Sequence, residues 1–474
     1  MALSLSQKAG WGLTDMGVVV FVVVKQLLVF AFLTSVLGVP VGLAGAVTTA
    51  VLIFDVITDP LVGYLSDRTN SRWGRRAPWM AVGAVVMAGG MIGLFAVPEG
   101  LSLWGNIGWV AGFFVLATIG FTMVAIPYGA MSGEITQDPR ERSAMTAWRM
   151  GFASVGILVG GALIPGLAAS FGYTTAAIIV SPLIIGAIWL SLWATRKAPR
   201  IAAPSSLPPI GMARLVLSNR PFMVLALLYG LMTLAIALIT AGLPFAAIYL
   251  IVDSGATMLS GAARALTTLS LLFAAFVVGS ILSQAVWVLL SRILTKVGAL
   301  ILGLGLYMAL LYLLYTQLPS VDVTLVAGLF VLAGMTNGAY QQIPWAIYPD
   351  LMDVTRNESG EAIEGAFSAV WLFGQKVANA LAPLVLGAIL GLWGWQETTE
   401  GQTEQTEAAL GALQVSITLV PAVILGLSIL GLAVFYLPAL RRARAASKAR
   451  AVIPAQDEPA TIENTTIKDP NVTA

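Results

Sequence analysis

Asp55 and Asp59 are the only charged residues between Val41 and Leu65, and they stand four positions apart. In a helix that spacing places both carboxylates on one face, about 6 Å from each other. Two carboxylates so close in a low dielectric cannot readily both stay ionised. Either a cation lies between them or one of them holds a proton. A charge whose binding depends on its surroundings is what ion coupling requires. The competing arrangement is a fixed network in which Arg149 or Lys376 neutralises the pair.

Four more ionisable residues lie in long apolar stretches: Asp15, Lys25, Arg149 and Lys376. An ionisable group inside a membrane helix costs at least about 2.5–3.5 kcal/mol on insertion scales, which makes each a functional candidate. Asp15 and Arg149 lie near the same end of their segments and could face one cavity. There Arg149 would offer a two-pronged donor to a polar solute, or the two could form a strut between helices. Lys376 could reach the acidic pair from another helix and compete with a coupling cation. Lys25 has no evident partner in the sequence. Among the aromatic residues, Trp11, Trp109, Trp148, Trp345 and Trp371 suit either interface anchoring or stacking on a sugar.

A further cluster, Asp67-Arg68 followed by Arg72 and by Arg75-Arg76, joins two apolar segments. Its arginines could hydrogen-bond helix-end carbonyls and Asp67, making Asp67, Arg68, Arg75 and Arg76 a candidate gating latch.

The elements that carry these groups follow from composition. The 474 residues are 58% hydrophobic and 10% charged, against about 25% charged in soluble domains. A membrane-crossing helix needs roughly 20 apolar residues, and such runs are expected at 10–34, 41–65, 78–97, 107–131, 144–170, 175–195, 221–250, 265–291, 298–316, 323–349, 363–395 and 410–440. The first reads as a retained signal-anchor helix. Lys and Arg concentrate in alternate loops, with Arg264 alone in the others, which predicts both termini on the cytoplasmic side of a cell (inner) membrane. The chain has no Cys and no His, which removes thiolate and imidazole metal sites and the usual nucleophile–imidazole pairs. No cofactor and no enzymatic activity are expected. The net charge of +2 gives no basis for a nucleic-acid partner. The expected partners are a small solute, a coupling cation and membrane lipid.

The segment 196–220 carries Pro199, Pro204, Pro208 and Pro209 among basic residues and reads as a cytoplasmic linker. It divides the chain into a six-helix bundle over 1–195 and a second over 221–440, with a disordered tail at 441–474. A weak repeat supports the division. Ile126-Pro127-Tyr128, then Glu134 and a charged loop, leads to Arg149; Ile343-Pro344-Trp345, then Asp350 and a charged loop, leads to Lys376. Parallel repeats of this kind build major-facilitator transporters, with the solute site between the halves.

The stretch Asp55-Val56-Ile57-Thr58-Asp59-Pro60-Leu61-Val62-Gly63, continued by Ser71-Arg72-Trp73-Gly74-Arg75-Arg76, resembles the glycoside–pentoside–hexuronide:cation symporter family. Gly12-Leu13-Thr14-Asp15, Ile126-Pro127-Tyr128, Arg140-Glu141-Arg142 and Gln375-Lys376 extend the resemblance over roughly residues 8 to 440. It implies an all-α major-facilitator fold of twelve transmembrane helices. It also implies cation binding at Asp55, Asp59 and Thr58. Solute contacts would come from Asp15, Arg149, Tyr128 and Trp345, with Lys376 nearby. Thr58 stands where the family's melibiose/sodium symporter pattern has Asn, Ala125 where it has Asp, and Gly129 where it has an aromatic. Fewer hard oxygens are then available for Na⁺, so Na⁺ and H⁺ remain competing coupling ions. The expected function is cation-coupled symport of a sugar or related polar solute; the alternative is a lipid or amphiphile carrier of the same fold.

Overall fold

The computed structural model describes residues 3–136, 139–198, 209–359 and 364–442. Apolar runs of these lengths can satisfy their backbone in lipid only as helices. Twelve helices long and apolar enough to cross a membrane are present: Leu5–Ser35, Val41–Ser66, Ala77–Phe95, Leu103–Met131, Ala144–Phe171, Tyr173–Thr195, Arg220–Tyr249, Thr268–Ile293, Lys296–Gln317, Val323–Met352, Ala366–Leu392 and Glu407–Arg442. They are called the first to twelfth spans below.

Each expected run is met by one span, and the ends differ for local reasons. The first span begins at Leu5, five residues early, because Ser4 and Gln7 form a reciprocal cap. The Ser4 Oγ accepts from the Gln7 amide, and the Gln7 Oε1 accepts from the Ser4 amide. Such a box satisfies two donors that the first turn leaves unpaired. Within the expected linker, Pro209–Ser218 is a short helix. Pro209 opens it, at the position where proline's missing N–H costs nothing. Residues 199–208, and the expected tail from 443 onward, lie outside the described residues.

The first six spans pack mainly on one another, as do the last six, and the second and eleventh spans meet between the groups. Glycine makes that meeting close. A Cβ on Gly45 would lie 2.4 Å from the Pro383 carbonyl oxygen, and one on Gly387 would lie 2.6 Å from that of Val41. Hydrogen bonds then tie the groups at the end opposite the termini. Thr49 donates to the Ala380 carbonyl at 2.6 Å, and the Val41 amide to Glu397 at 2.8 Å. The amides of Thr398 and Gly401 donate to the carbonyls of Thr34 and Ser35. The bundle is closed at that end.

Candidate functional site

The second span delivers Asp55 and Asp59 to one face, as the four-residue spacing requires. Asp55 is buried and Asp59 is half-buried. Pro60 follows immediately; lacking an N–H, it removes one helical hydrogen bond beside the pair.

Three partners converge on the two carboxylates, and an aromatic ring covers two of those partners. Lys25, from the first span, places its Nζ 3.2 Å from Asp55 Oδ2. Lys376, from the eleventh span, contacts Asp59 Oδ2 and lies 3.2 Å from Asp55 Oδ1. Thr122, from the fourth span, donates to Asp55 Oδ1 at 2.9 Å and lies 3.3 Å from Asp59 Oδ1. Phe121, next to it, presents its ring to both ammonium groups, 4.3 Å from Lys25 Nζ and 5.4 Å from Lys376 Nζ. Desolvated ammonium groups gain from an aromatic face. Asp55, Asp59, Lys25 and Lys376 together carry two negative and two positive charges.

Lys376 therefore does reach the acidic pair from the other group of spans. Lys25, without an evident partner in the sequence, is paired with Asp55. Thr58 is not brought onto the carboxylates: its hydroxyl donates to the Asp55 carbonyl of its own helix at 3.1 Å. A threonine in a helix interior finds that carbonyl within reach. Thr122 occupies the position that the sequence reading gave to Thr58. It lies one turn before Ala125, so an oxygen from the fourth span meets the pair through a hydroxyl in place of a carboxylate. The sequence carried no signal that separates Thr122 from Thr118, one turn earlier.

Asp15 and Arg149 form the strut between the first and fifth spans, with Arg149 Nε 2.7 Å from Asp15 Oδ2. Close packing sets this register, since a Cβ on Gly12 would meet the Arg149 backbone nitrogen at 2.7 Å. The strut does not enclose the guanidinium: the Arg149 side chain is 39% exposed whereas that of Asp15 is 6% exposed. Tyr128 lies under the guanidinium, 5.7 Å from ring centre to Cζ, and stacks on Trp11 at 4.7 Å. The Tyr128 hydroxyl and the Trp11 Nε1 are buried without a hydrogen-bond partner among the described residues.

Across from them the tenth and eleventh spans set an aromatic wall. Trp371 stacks between Tyr229 at 4.2 Å and Tyr348 at 5.0 Å, and Trp345 meets it edge-on at 6.0 Å. Trp345 Nε1 donates to the Tyr229 hydroxyl at 3.0 Å. Tyr348 lies within electrostatic reach of Arg149. Trp371 Nε1, like the Trp11 nitrogen, has no partner among the described residues. Trp109, by contrast, is spent on packing, donating to the Gly93 carbonyl at 2.9 Å.

The arginines of the loop cluster make definite contacts. Arg75 and Arg76 converge on Glu134 at the end of the fourth span, at 2.7 and 3.0 Å, and Arg76 also donates to Ser66 at 2.8 Å. Arg68 lies over the Tyr64 ring at 4.1 Å. The Asp67 side chain lies outside the described residues, as do those of Arg140 and Arg142. The second group repeats the device. Lys296, at the start of the ninth span, reaches Asp350 near the end of the tenth at 2.7 Å. In both groups a cation at the start of the third helix holds a carboxylate at the end of the fourth. The first ion pair is largely buried and the second exposed.

The chain is similar to known membrane transport proteins. The profile described as MFS/sugar transport protein matches residues 7–439. An uncharacterized symporter of Synechocystis sp. is 26% identical, with 92% of this chain and 94% of the relative covered. The putative glycoside/cation symporter YagG of Escherichia coli is 24% identical, covering 89% of this chain and 90% of its own. The crystal structure of the nucleoside transporter NupG matches the fold with a TM-score of 0.61 at 12% identity, over 91% of this chain and 98% of that one.

Proposed function

This chain belongs to the MFS/sugar transport protein family, and we propose that it is a secondary active symporter moving a sugar or related polar solute with a coupling cation, Na⁺ or H⁺. It is a multi-pass membrane transporter with the major-facilitator fold of two six-helix bundles, and not an enzyme. The proposed placement is the cell inner membrane with both termini cytoplasmic. The proposed bundles are 1–195 and 221–440, joined by a linker at 196–220.

One observation carries the coupling assignment. The ion pair between Lys376 and the two aspartates joins the second span to the eleventh, one from each bundle. Alternating access separates and rejoins such spans, so the pair must break and re-form in each cycle. A cation that takes the place of Lys376 on Asp59 is then bound in one arrangement and expelled in the other. Differential affinity of this kind is the only way a ligand can bias a conformational equilibrium. Asp55 and Asp59 are the proposed coupling ligands, with Thr122 as an added oxygen.

Arg149, Asp15, Tyr128 and Trp11 on one side, and Trp345, Tyr348 and Trp371 on the other, form the proposed solute site. Stacked aromatic faces and unpaired indole and phenol donors suit a hydroxylated ring, with Arg149 as the orienting group. Arg75 and Arg76, with Glu134, are proposed as a gate element.

The test is uptake of radiolabelled glycosides, pentosides and hexuronides by proteoliposomes under an imposed inward Na⁺ or H⁺ gradient. The expected result is accumulation of one class that collapses when that gradient is dissipated. Equilibration unaffected by either gradient would overturn the reading.

A further inference from the structure

We propose that Lys25 is a built-in counter-cation standing in the place of a coupling Na⁺, so that this transporter is Na⁺-independent and loads a proton on Asp59. The inference rests on the reading of Asp55 and Asp59 as the coupling site and names the ion that site takes.

Three of the pair's four carboxylate oxygens have a donor, and the fourth, Asp59 Oδ1, has only the Thr122 hydroxyl that also serves Asp55 Oδ1. Lys25 Nζ serves Asp55 Oδ2, Lys376 serves Asp55 Oδ1 and Asp59 Oδ2, and Thr122 serves both Oδ1 atoms. The two lysines differ in what they can do. Lys376 comes from the opposite bundle, and its side chain is 23% exposed, so it can withdraw when the bundles part. Lys25 comes from the same bundle as Asp55, and the side chains of the pair are 7% and 2% exposed. Its ammonium is enclosed by the Phe21 and Phe121 rings. The charged groups acting on it are Asp55, Lys376 and Asp59. Lys25 cannot leave Asp55 without stranding a buried charge.

The loading state follows by subtraction. With Lys376 withdrawn, the first bundle presents two carboxylates and one ammonium, a net charge of one negative. A proton needs no more than this: it adds to the Asp59 oxygen that Lys376 vacates, forming an O–H bond and neutralising the cluster. Sodium is a hard cation that needs a shell of oxygens. Here one carboxylate is committed to Lys25, an ammonium that offers donors and no lone pair. The fourth span adds one hydroxyl, from Thr122, where Ala125 supplies no oxygen. Sodium would sit beside a fixed like charge with little more than one carboxylate to hold it.

The test uses the purified full-length chain in nanodiscs and measures binding of radiolabelled Na⁺ by equilibrium dialysis, at neutral pH, with choline replacing Na⁺ as the control. The unmodified chain is expected to show no saturable site. Lys25→Met is expected to create one site per chain, which Lys25→Met/Asp59→Asn loses. Lys25→Arg, which keeps the charge, is expected not to create it. The expected gain is roughly a hundredfold in apparent Na⁺ affinity, the order given by removing one like charge at close range. Saturable Na⁺ binding by the unmodified chain, abolished by Asp59→Asn, would overturn the proposal while leaving the acidic pair as a cation site. That measurement decides the matter even if a Lys25 variant fails to fold. A folded Lys25→Met that gains no Na⁺ site would overturn it as well. Failure of the coupling reading itself shows elsewhere, as gradient-driven uptake that Asp59→Asn leaves intact.

Discussion

Substituting Gly45 by Val should wedge open the end of the bundle opposite the termini. The Gly45 Cβ position is 2.4 Å from the Pro383 carbonyl oxygen, 3.1 Å from its carbon and 3.3 Å from Leu384 Cα. That is roughly 1 Å inside ordinary contact distance, and the obstacle is backbone, which cannot rotate away as a side chain can. Overpacking of this kind typically costs about 1–3 kcal/mol. The cost falls only on the arrangement in which the second and eleventh spans touch. The equilibrium should therefore move toward opening at this end by about 5- to 150-fold. The chain has no cysteine, so a single Thr49→Cys serves as the reporter. Thr49 is buried in the seam one turn below Gly45, with its hydroxyl on the Ala380 carbonyl. A membrane-impermeant maleimide added on the side opposite the termini should label Thr49→Cys slowly, and Gly45→Val/Thr49→Cys about tenfold or more faster. An unchanged labelling rate in a protein with an unaltered melting temperature would refute the claim that this seam seals the bundle.

Arg149→Lys should weaken solute binding by more than about tenfold while leaving the protein folded, because an ammonium keeps the charge but not the forked donor set; isothermal titration with the transported solute checks it. Arg76→Met should lower stability by about 1–3 kcal/mol, the cost of removing the more buried of the two donors to the Glu134 carboxylate, along with the donor to Ser66. Arg75→Met should cost less, since its side chain is 35% exposed against 7% for Arg76. Thermal melting of the two variants in one detergent compares them directly.

The twelve spans were legible in the sequence because the bilayer imposes one demand, a long apolar run, that composition states outright. The acidic pair was legible too, since both members lie on one helix and their spacing fixes their separation. Partners from other helices were not. Nothing local to Lys25 points to Asp55, thirty positions away, and nothing local to Thr122 distinguishes it from Thr118. Helix packing alone decides which hydroxyl meets the carboxylates. Thr58 misled for the complementary reason: it neighbours Asp59 in the chain, yet its own helix supplies a nearer acceptor. The loop arginines were recognised as a cluster, but their shared contact with Glu134 depended on the fourth span returning beside them. The same limit applied to Trp345, whose place in the Tyr229–Trp371–Tyr348 stack brings three spans together.

The central claim is that the Asp55–Asp59 pair couples solute movement to a cation, and Asp59→Asn in proteoliposomes tests it most directly. Two readings are taken from the same vesicles: accumulation driven by an imposed ion gradient, and exchange of internal for external solute with no gradient. The account predicts that Asp59→Asn abolishes accumulation and retains exchange, because the solute site stands intact while the charge that senses the ion is gone. Accumulation against a gradient by Asp59→Asn, at the rate of the unmodified chain, would contradict it.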